Sequence, residues 1–239
     1  MTNKQIFGLV ILMLLVPIIG DIGRGFVDSF TQEHLIYRNE PLPPFQMHQD
    51  YKQTPYAPVV RLSDVNDRFF CSGSVISNDY VVTAAHCVMD THNFVPGLHK
   101  GVIRVTSLPG ANGLTIERDG LAGAANTRAD YALIKGDFSD FTKIPMTAAP
   151  MDLMRIQGPI LTCGFPWSAE LACYPAGNGF LFYDMIGLQG RLFPGMSGGP
   201  VIDLSGLGQF AVNSGVINGA IIVAPLTGLF ASLGIKVDP

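Results

Sequence analysis

The sequence is short of charge. Of its 239 residues 14% are Asp, Glu, Lys or Arg, against 48% hydrophobic, with a mean hydropathy of +0.31. A chain this apolar collapses in water, which excludes a disordered polar polymer. Basic residues are also in the minority: 15 Lys and Arg stand against 19 Asp and Glu, a net charge of −4. Phosphate neutralisation needs an excess of cations, so no nucleic-acid partner is expected. Cysteine is scarce at four, and no internal repeat or low-complexity tract occurs, so the chain is not a repeat array. Glycine and proline, in contrast, are plentiful at 27 and 17. Combined with many short β-branched runs, they point to an all-β domain rich in turns. The length suits one domain of roughly 200 residues with appendages.

The chain also lacks a long hydrophobic run. Its longest, Ile6 to Gly20 after Lys4, is fifteen residues and closes at Asp21 and Arg24. A bilayer span takes about 20 apolar residues, so this run has the length of a signal-peptide core. Residues 1–25 are therefore read as a signal peptide, with an uncleaved signal-anchor, a membrane tether through Ile6 to Gly20, as the alternative. Either way the remainder is expected to be secreted or extracytoplasmic. Residues 26–56 carry Pro41, Pro43 and Pro44 and no sustained period, and read as a linker or short pro-segment.

From residue 57 to 239 the texture changes to short apolar runs separated by Gly, Asn, Asp and Pro. Strands are expected at Pro58–Leu62, Phe69–Ile76, Tyr80–Thr83, Val102–Thr106, Leu114–Glu117, Pro159–Cys163, Phe180–Leu188, Pro200–Asp203, Phe210–Asn213 and Ala220–Val223. Such spacing suggests a sandwich or barrel. One helix is expected near the C-terminus, Leu226 to Leu233, with Leu229, Phe230 and Leu233 on one face.

Three segments carry chemistry. In the first, His86 follows a strand-like run and Thr83-Ala84-Ala85, among small neighbours that would fix it in a partly enclosed position. In the second, Asp130 precedes the apolar run Tyr131–Ile134. A carboxylate buried at such a strand end needs a cationic or donating partner, and His86 is the candidate. Asp119 is read in an Arg-Asp-Gly turn, and Asp137 and Asp140 in a polar loop. In the third, Phe193-Pro-Gly-Met-Ser-Gly-Gly-Pro200, glycines on both sides of Ser197 let the backbone turn sharply. The amides of Gly195 and Ser197 can then face one point, as an oxyanion hole requires. Taken alone, Gly-x-Ser-x-Gly is also the nucleophile motif of α/β-hydrolases, which place a histidine after the serine. Here all five histidines precede Ser197.

The order His86, Asp130, Ser197 is that of chymotrypsin-like proteases. Thr83-Ala-Ala-His-Cys87, Asp130-Tyr-Ala-Leu-Ile134 and Gly195-Met-Ser-Gly-Gly-Pro200 resemble the three signatures of the trypsin/chymotrypsin-like serine peptidases, over roughly Pro58 to the C-terminus. The resemblance implies a serine endopeptidase with two packed antiparallel six-stranded β-barrels and a cleft between them. It implies Ser197 as nucleophile, His86 as general base and acid, and Asp130 as the group that orients His86. It also implies a histidine-loop disulfide, Cys71–Cys87. Sequence alone permits three pairings of four cysteines. With that pair assigned by resemblance, Cys163 and Cys173 are expected to clasp a hairpin. In the family's pattern Arg191 falls at the base of the primary substrate pocket, with Ser214 and Gly215 along one wall. A guanidinium there would favour an acidic substrate side chain, whereas an arginine turned to solvent would leave small or apolar ones preferred.

Met196 stands where animal trypsins carry the aspartate that pairs with a newly cut N-terminus, and no Arg-Ile-Val-Gly-Gly-type activation site occurs. The chain thus looks closer to compact bacterial or viral members, without that zymogen switch. Protein or peptide is the expected substrate, no cofactor or metal is expected, and a monomer is expected. Two other readings stand beside the peptidase: a catalytically silent domain that binds a partner, and a membrane-tethered processing protease of a virus or mobile element.

Overall fold

The computed structural model of the chain describes residues 58–89, 101–109, 113–146, 160–168, 170–182, 184–204 and 208–229. The run Ile6–Gly20, the segment 26–56, and Phe230 and Leu233 of the expected C-terminal helix lie outside them. Among the described residues no helix is long and apolar enough to cross a membrane.

The first six strands are β1 (Val59–Ser63), β2 (Phe69–Val75), β3 (Tyr80–Thr83), β4 (Val102–Thr106), β5 (Glu117–Asn126) and β6 (Tyr131–Lys135). They close into an antiparallel barrel in the order β1-β2-β3-β6-β5-β4. The next six are β7 (Ile160–Gly164), β8 (Ala172–Phe182), β9 (Met185–Gln189), β10 (Pro200–Asp203), β11 (Gly208–Ile217) and β12 (Ala220–Pro225). These close into a second barrel, β7-β8-β9-β12-β11-β10, so both halves share one wiring without any repeat in sequence. Closure removes the exposed sheet edges that would otherwise template aggregation.

Unbroken apolar runs such as Val59-Val60 and Ala132-Leu133-Ile134 follow from burial on both faces of the sheet. Val60, Leu62, Val81, Ala132 and Ile134 point into the first barrel with Ile103, Val105 and Phe138. Their alternating neighbours Val59, Val82 and Leu133 point outward into a seam shared with Leu161, Ile202, Val212 and Ala224 of the second barrel. The side-chain period of two thus fills a barrel interior with one set and the inter-barrel seam with the other.

Three expectations need correction. Asp119 lies in β5, not in a turn, opposite Arg104. Gly120, which suggested the turn, sits in the strand because a Cβ there would come within 2.5 Å of Ile134 Cγ2 and 3.2 Å of the Lys135 carbonyl. The strand expected at Leu114–Glu117 begins only at Glu117, and Leu114 is solvent-exposed. The single strand expected at Phe180–Leu188 is the end of β8 and all but the last residue of β9, reversing between the paired Phe182 and Met185. No Gly, Pro or Asn marks that reversal in the sequence. The helix expected from Leu226 begins at residue 227 and is described as far as residue 229, with Leu229 buried in the seam.

Candidate active site

His86 lies in α1, the single helical turn Ala85–Val88 that follows β3. Ala84 and Ala85 are buried to 0% and 1% exposure, and their small side chains let the turn lie close against the end of the first barrel. Cys87 is disulfide-bonded to Cys71 on β2, which ties α1 to the adjoining strand. The second disulfide, Cys163–Cys173, joins directly opposed residues of β7 and β8.

Asp130 precedes β6 with φ +51, a left-handed conformation that Asp tolerates better than most residues. The turn before it is closed by Asn126, whose Oδ1 accepts from the amides of Arg128 (3.1 Å) and Ala129 (3.0 Å). This geometry sends the Asp130 carboxylate back toward α1. Its oxygens lie 3.1 Å and 2.9 Å from His86 Nδ1, and Oδ1 also accepts the His86 backbone N–H at 3.0 Å. Ser214 Oγ donates to Oδ2 at 2.5 Å. Burial alone would raise the Asp130 pKa. The hydrogen bond and attraction from His86, together with the Ser214 hydroxyl, outweigh it and hold the carboxyl below its ordinary value. A carboxylate at Nδ1 selects the tautomer protonated there, leaving Nε2 with its lone pair. The His86 side chain is 43% exposed, and among the described residues Nε2 makes no hydrogen bond.

Ser197 sits in the turn between β9 and β10. A Cβ at Gly198 (φ +78) would lie 2.0 Å from Thr83 Oγ1 and 2.8 Å from the Ala84 amide. Only glycine lets this turn dock on the segment leading to His86, and that contact carries Ser197 to the histidine-bearing end of the first barrel. Among the described residues the Ser197 hydroxyl makes its hydrogen bond to the Ser214 carbonyl, at 3.5 Å. That is the outer limit of a hydrogen bond, and among the described residues none joins Ser197 Oγ to His86. Gly195 adopts φ +94. Neither the Gly195 nor the Ser197 amide has a hydrogen-bond partner among the described residues, whereas the Met196, Gly198 and Gly199 amides are all bonded to carbonyls. Two free N–H groups flanking a hydroxyl can stabilise a developing oxyanion.

Of the residues singled out for the substrate pocket, Arg191 is exposed and its carbonyl accepts from Thr162 Oγ1 at 3.3 Å. Beside it, a Cβ at Gly190 would meet Ile221 Cδ1 at 2.7 Å, so the buried Ile221 occupies the space next to that chain segment. Ser214 and Gly215 lie on β11, which pairs with β10 only as far as Val212. One grouping of metal-ligand types occurs among the described residues, Cys71, His86 and Cys87. Both sulfurs are consumed in the disulfide and offer no thiolate.

Sequence reasoning missed two hydroxyls. It assigned Ser214 to a pocket wall, while the side chain is bonded to Asp130; and it gave Ser72 no role, although Ser72 touches the Ser197 turn through two hydrogen bonds. Neither stands in a motif that distinguishes it from any strand serine.

Residues 71–207, more than half of the chain, match the family model described as the trypsin-like peptidase domain. The chain belongs to that family, and a serine protease is the class that membership defines. No curated protein matches it. Among solved structures the fold is similar to a serine endoprotease from Yersinia pestis (19% identity, TM-score 0.55, covering 75% of this chain and 63% of that one). It is also similar to Deg5 (19%, 0.57, 76% and 88%) and to the M. tuberculosis protease Rv3671c in its active form (17%, 0.56, 77% and 83%). The chain spans less than two thirds of the Yersinia protein's length, and at these identities the likeness is one of fold.

Proposed function

We propose that this domain is a serine endopeptidase working through an acyl-enzyme, with Ser197 as nucleophile, His86 as general base and then acid, and Asp130 as its orienting carboxylate. The observation that carries this reading is the two-point contact of the Asp130 carboxylate with His86 Nδ1. As the bond from Ser197 Oγ to the scissile carbonyl carbon forms, the hydroxyl proton passes to His86 Nε2. The carbonyl oxygen becomes an oxyanion held by the Gly195 and Ser197 amides. Collapse breaks the C–N bond, and the proton on Nε2 leaves with the amine. Water then repeats the sequence on the acyl-enzyme, releasing the acid and restoring Ser197.

Beyond Val212, Gly215 and Val216 of β11 pair only with β12 among the described residues, so an extended peptide can add as a further strand on their other side. The exposed Arg191 and the buried Ile221 support a pocket for small or apolar side chains before the cut, not acidic ones. Cleavage profiling on a peptide library tests this point. A preference for Asp or Glu would put the guanidinium in the pocket instead. We further propose export through the N-terminal run, action on protein substrates, and a monomeric domain.

The decisive experiment is reaction with a fluorophosphonate probe. The wild-type protein should label covalently and Ser197→Ala should not. An unlabelled, folded wild type would favour a silent binding domain.

A further inference from the structure

Ser72 lies on β2 of the first barrel, fully buried, and all its polar groups are engaged. Its hydroxyl donates to the Gly195 carbonyl at 2.7 Å and accepts the Phe165 amide at 2.9 Å. Its own amide donates to the Ser197 carbonyl at 2.8 Å, and its carbonyl accepts Thr83 Oγ1 at 2.8 Å. We propose that Ser72 is the positioning residue of the oxyanion turn, holding the carbonyls of Gly195 and Ser197 so that the N–H groups of those residues face one point. This inference rests on the peptidase reading above.

Each peptide unit is planar, with C=O and N–H pointing in opposite directions, so fixing a carbonyl fixes the plane that carries it. Ser72 fixes the planes that follow Gly195 and Ser197. The plane before Gly195, which carries the Gly195 N–H itself, is fixed by the Trp167 amide donating to the Pro194 carbonyl at 2.7 Å. Trp167 does so from φ +46, ψ +37, a left-handed conformation unusual for a bulky residue, in the short 3-10 turn directly after Phe165. The Ser72 hydroxyl therefore bridges both pieces of the second barrel that shape the turn: the Phe165 amide, two residues before Trp167, and Gly195.

The position has little slack. A Cβ at Gly164 would lie 2.9 Å from Ser72 Oγ and 2.7 Å from Met196 Cα, and one at Gly195 would lie 2.5 Å from the Phe165 carbonyl. Met196, at the centre of the turn, is fully buried and uncharged and brings no ion pair to tether it. The hydroxyl of Ser72 supplies a polar tether from the facing barrel. Removing it leaves a buried donor at Phe165 and a half-buried acceptor at Gly195 without that partner. The Gly195–Met196 peptide then loses its tether, and so does Phe165, which leads into the Trp167 turn that holds the plane of the Gly195 N–H.

The test compares wild type, Ser72→Ala and Ser72→Thr in steady-state peptide hydrolysis and in affinity for a peptide boronic acid, whose tetrahedral adduct places an oxygen between the two amides. Ser72→Ala is expected to lower kcat and boronate affinity about 10- to 100-fold with KM within about threefold, as loss of oxyanion alignment predicts. Ser72→Thr, which keeps the hydroxyl, should return kcat to within about threefold of wild type. A folded Ser72→Ala with unchanged kcat overturns the inference, even if its Tm falls. So does a folded Ser72→Thr as slow as the alanine variant, and that outcome can be read even if Ser72→Ala does not fold. A wild type that neither cleaves peptides nor reacts with a fluorophosphonate removes the peptidase reading itself. An active wild type beside an unimpaired Ser72→Ala removes only the role of Ser72.

Discussion

Asp130 is buried, yet its carboxyl is held below the ordinary carboxylate pKa by the hydrogen bonds and attraction of His86 and the hydroxyl of Ser214. In the unfolded chain this group returns to about 3.9. Because its folded pKa is the lower of the two, it stabilises the fold above the unfolded value, and that contribution is lost as pH falls through the folded one. Thermal unfolding between pH 6 and pH 2 should therefore show a shallower loss of Tm for Asp130→Asn than for wild type. Parallel curves would mean that Asp130 does not contribute to acid lability. Ser214→Ala removes a hydrogen bond to a charged group, an interaction of about 1.5–3 kcal/mol, and should lower kcat/KM on a peptide substrate by about tenfold. Ser197→Ala or His86→Ala should lower kcat by about 10⁴- to 10⁶-fold with the fold intact by circular dichroism.

Strands are placed by side-chain alternation, but close approaches between them are set by glycines. Gly120 in β5 and Gly187 in β9 look alike in sequence and differ in what surrounds them. A Cβ at Gly120 would meet the buried Ile134 and Phe138 and a backbone carbonyl, none of which has room to yield. At Gly187 the three nearest atoms all belong to the ring of Phe180, which is 44% exposed and can swing into solvent. Urea denaturation should find Gly120→Ala destabilised by about 1–3 kcal/mol, the scale of overpacking, and Gly187→Ala by less. Equal losses would show that the Phe180 ring is as fixed as the core. This contrast explains why Arg118-Asp119-Gly120 read as a turn: a glycine required by crowding and one required by a bend are the same letter.

The two barrels are joined by the apolar seam and by polar bridges from β2, Ser72 to the Ser197 turn and Ser74 Oγ to Gln209 Oε1 at 2.6 Å. Each barrel carries its own disulfide, and neither crosses the seam. Cys71–Cys87 closes the longer loop, and removing it as a Cys71→Ala/Cys87→Ala pair should cost about 3 kcal/mol by chain entropy. It should also reduce activity, because α1 is held to β2 by that bond. The Cys163→Ala/Cys173→Ala pair should cost less stability. Chemical denaturation of both variants beside wild type would reveal any reversal of that order.

Much of this protein is local and was readable as such. The boundaries of β1 to β4 and β10 follow from alternating or doubly buried apolar runs between turn residues, and Gly195, Gly198 and Gly199 follow from the positive φ or crowding of the turn around Ser197. The reversal from β8 to β9 was not readable, because no Gly, Pro or Asn marks it and a lone Asp184 is a weak signal; barrel closure imposes it. Nor were the partners of the site. Ser214 meets Asp130 across 84 residues of chain and Ser72 meets Gly195 across 123. A serine on a strand has the same local propensities whether its hydroxyl faces water, a carboxylate or a carbonyl. The sequence by itself determined β1 to β4 and β10, the turn glycines and the order His86, Asp130, Ser197. Only the docking of two closed barrels decided which hydroxyls became partners of the site, since hydrogen bonds between distant segments depend on packing that no single segment encodes.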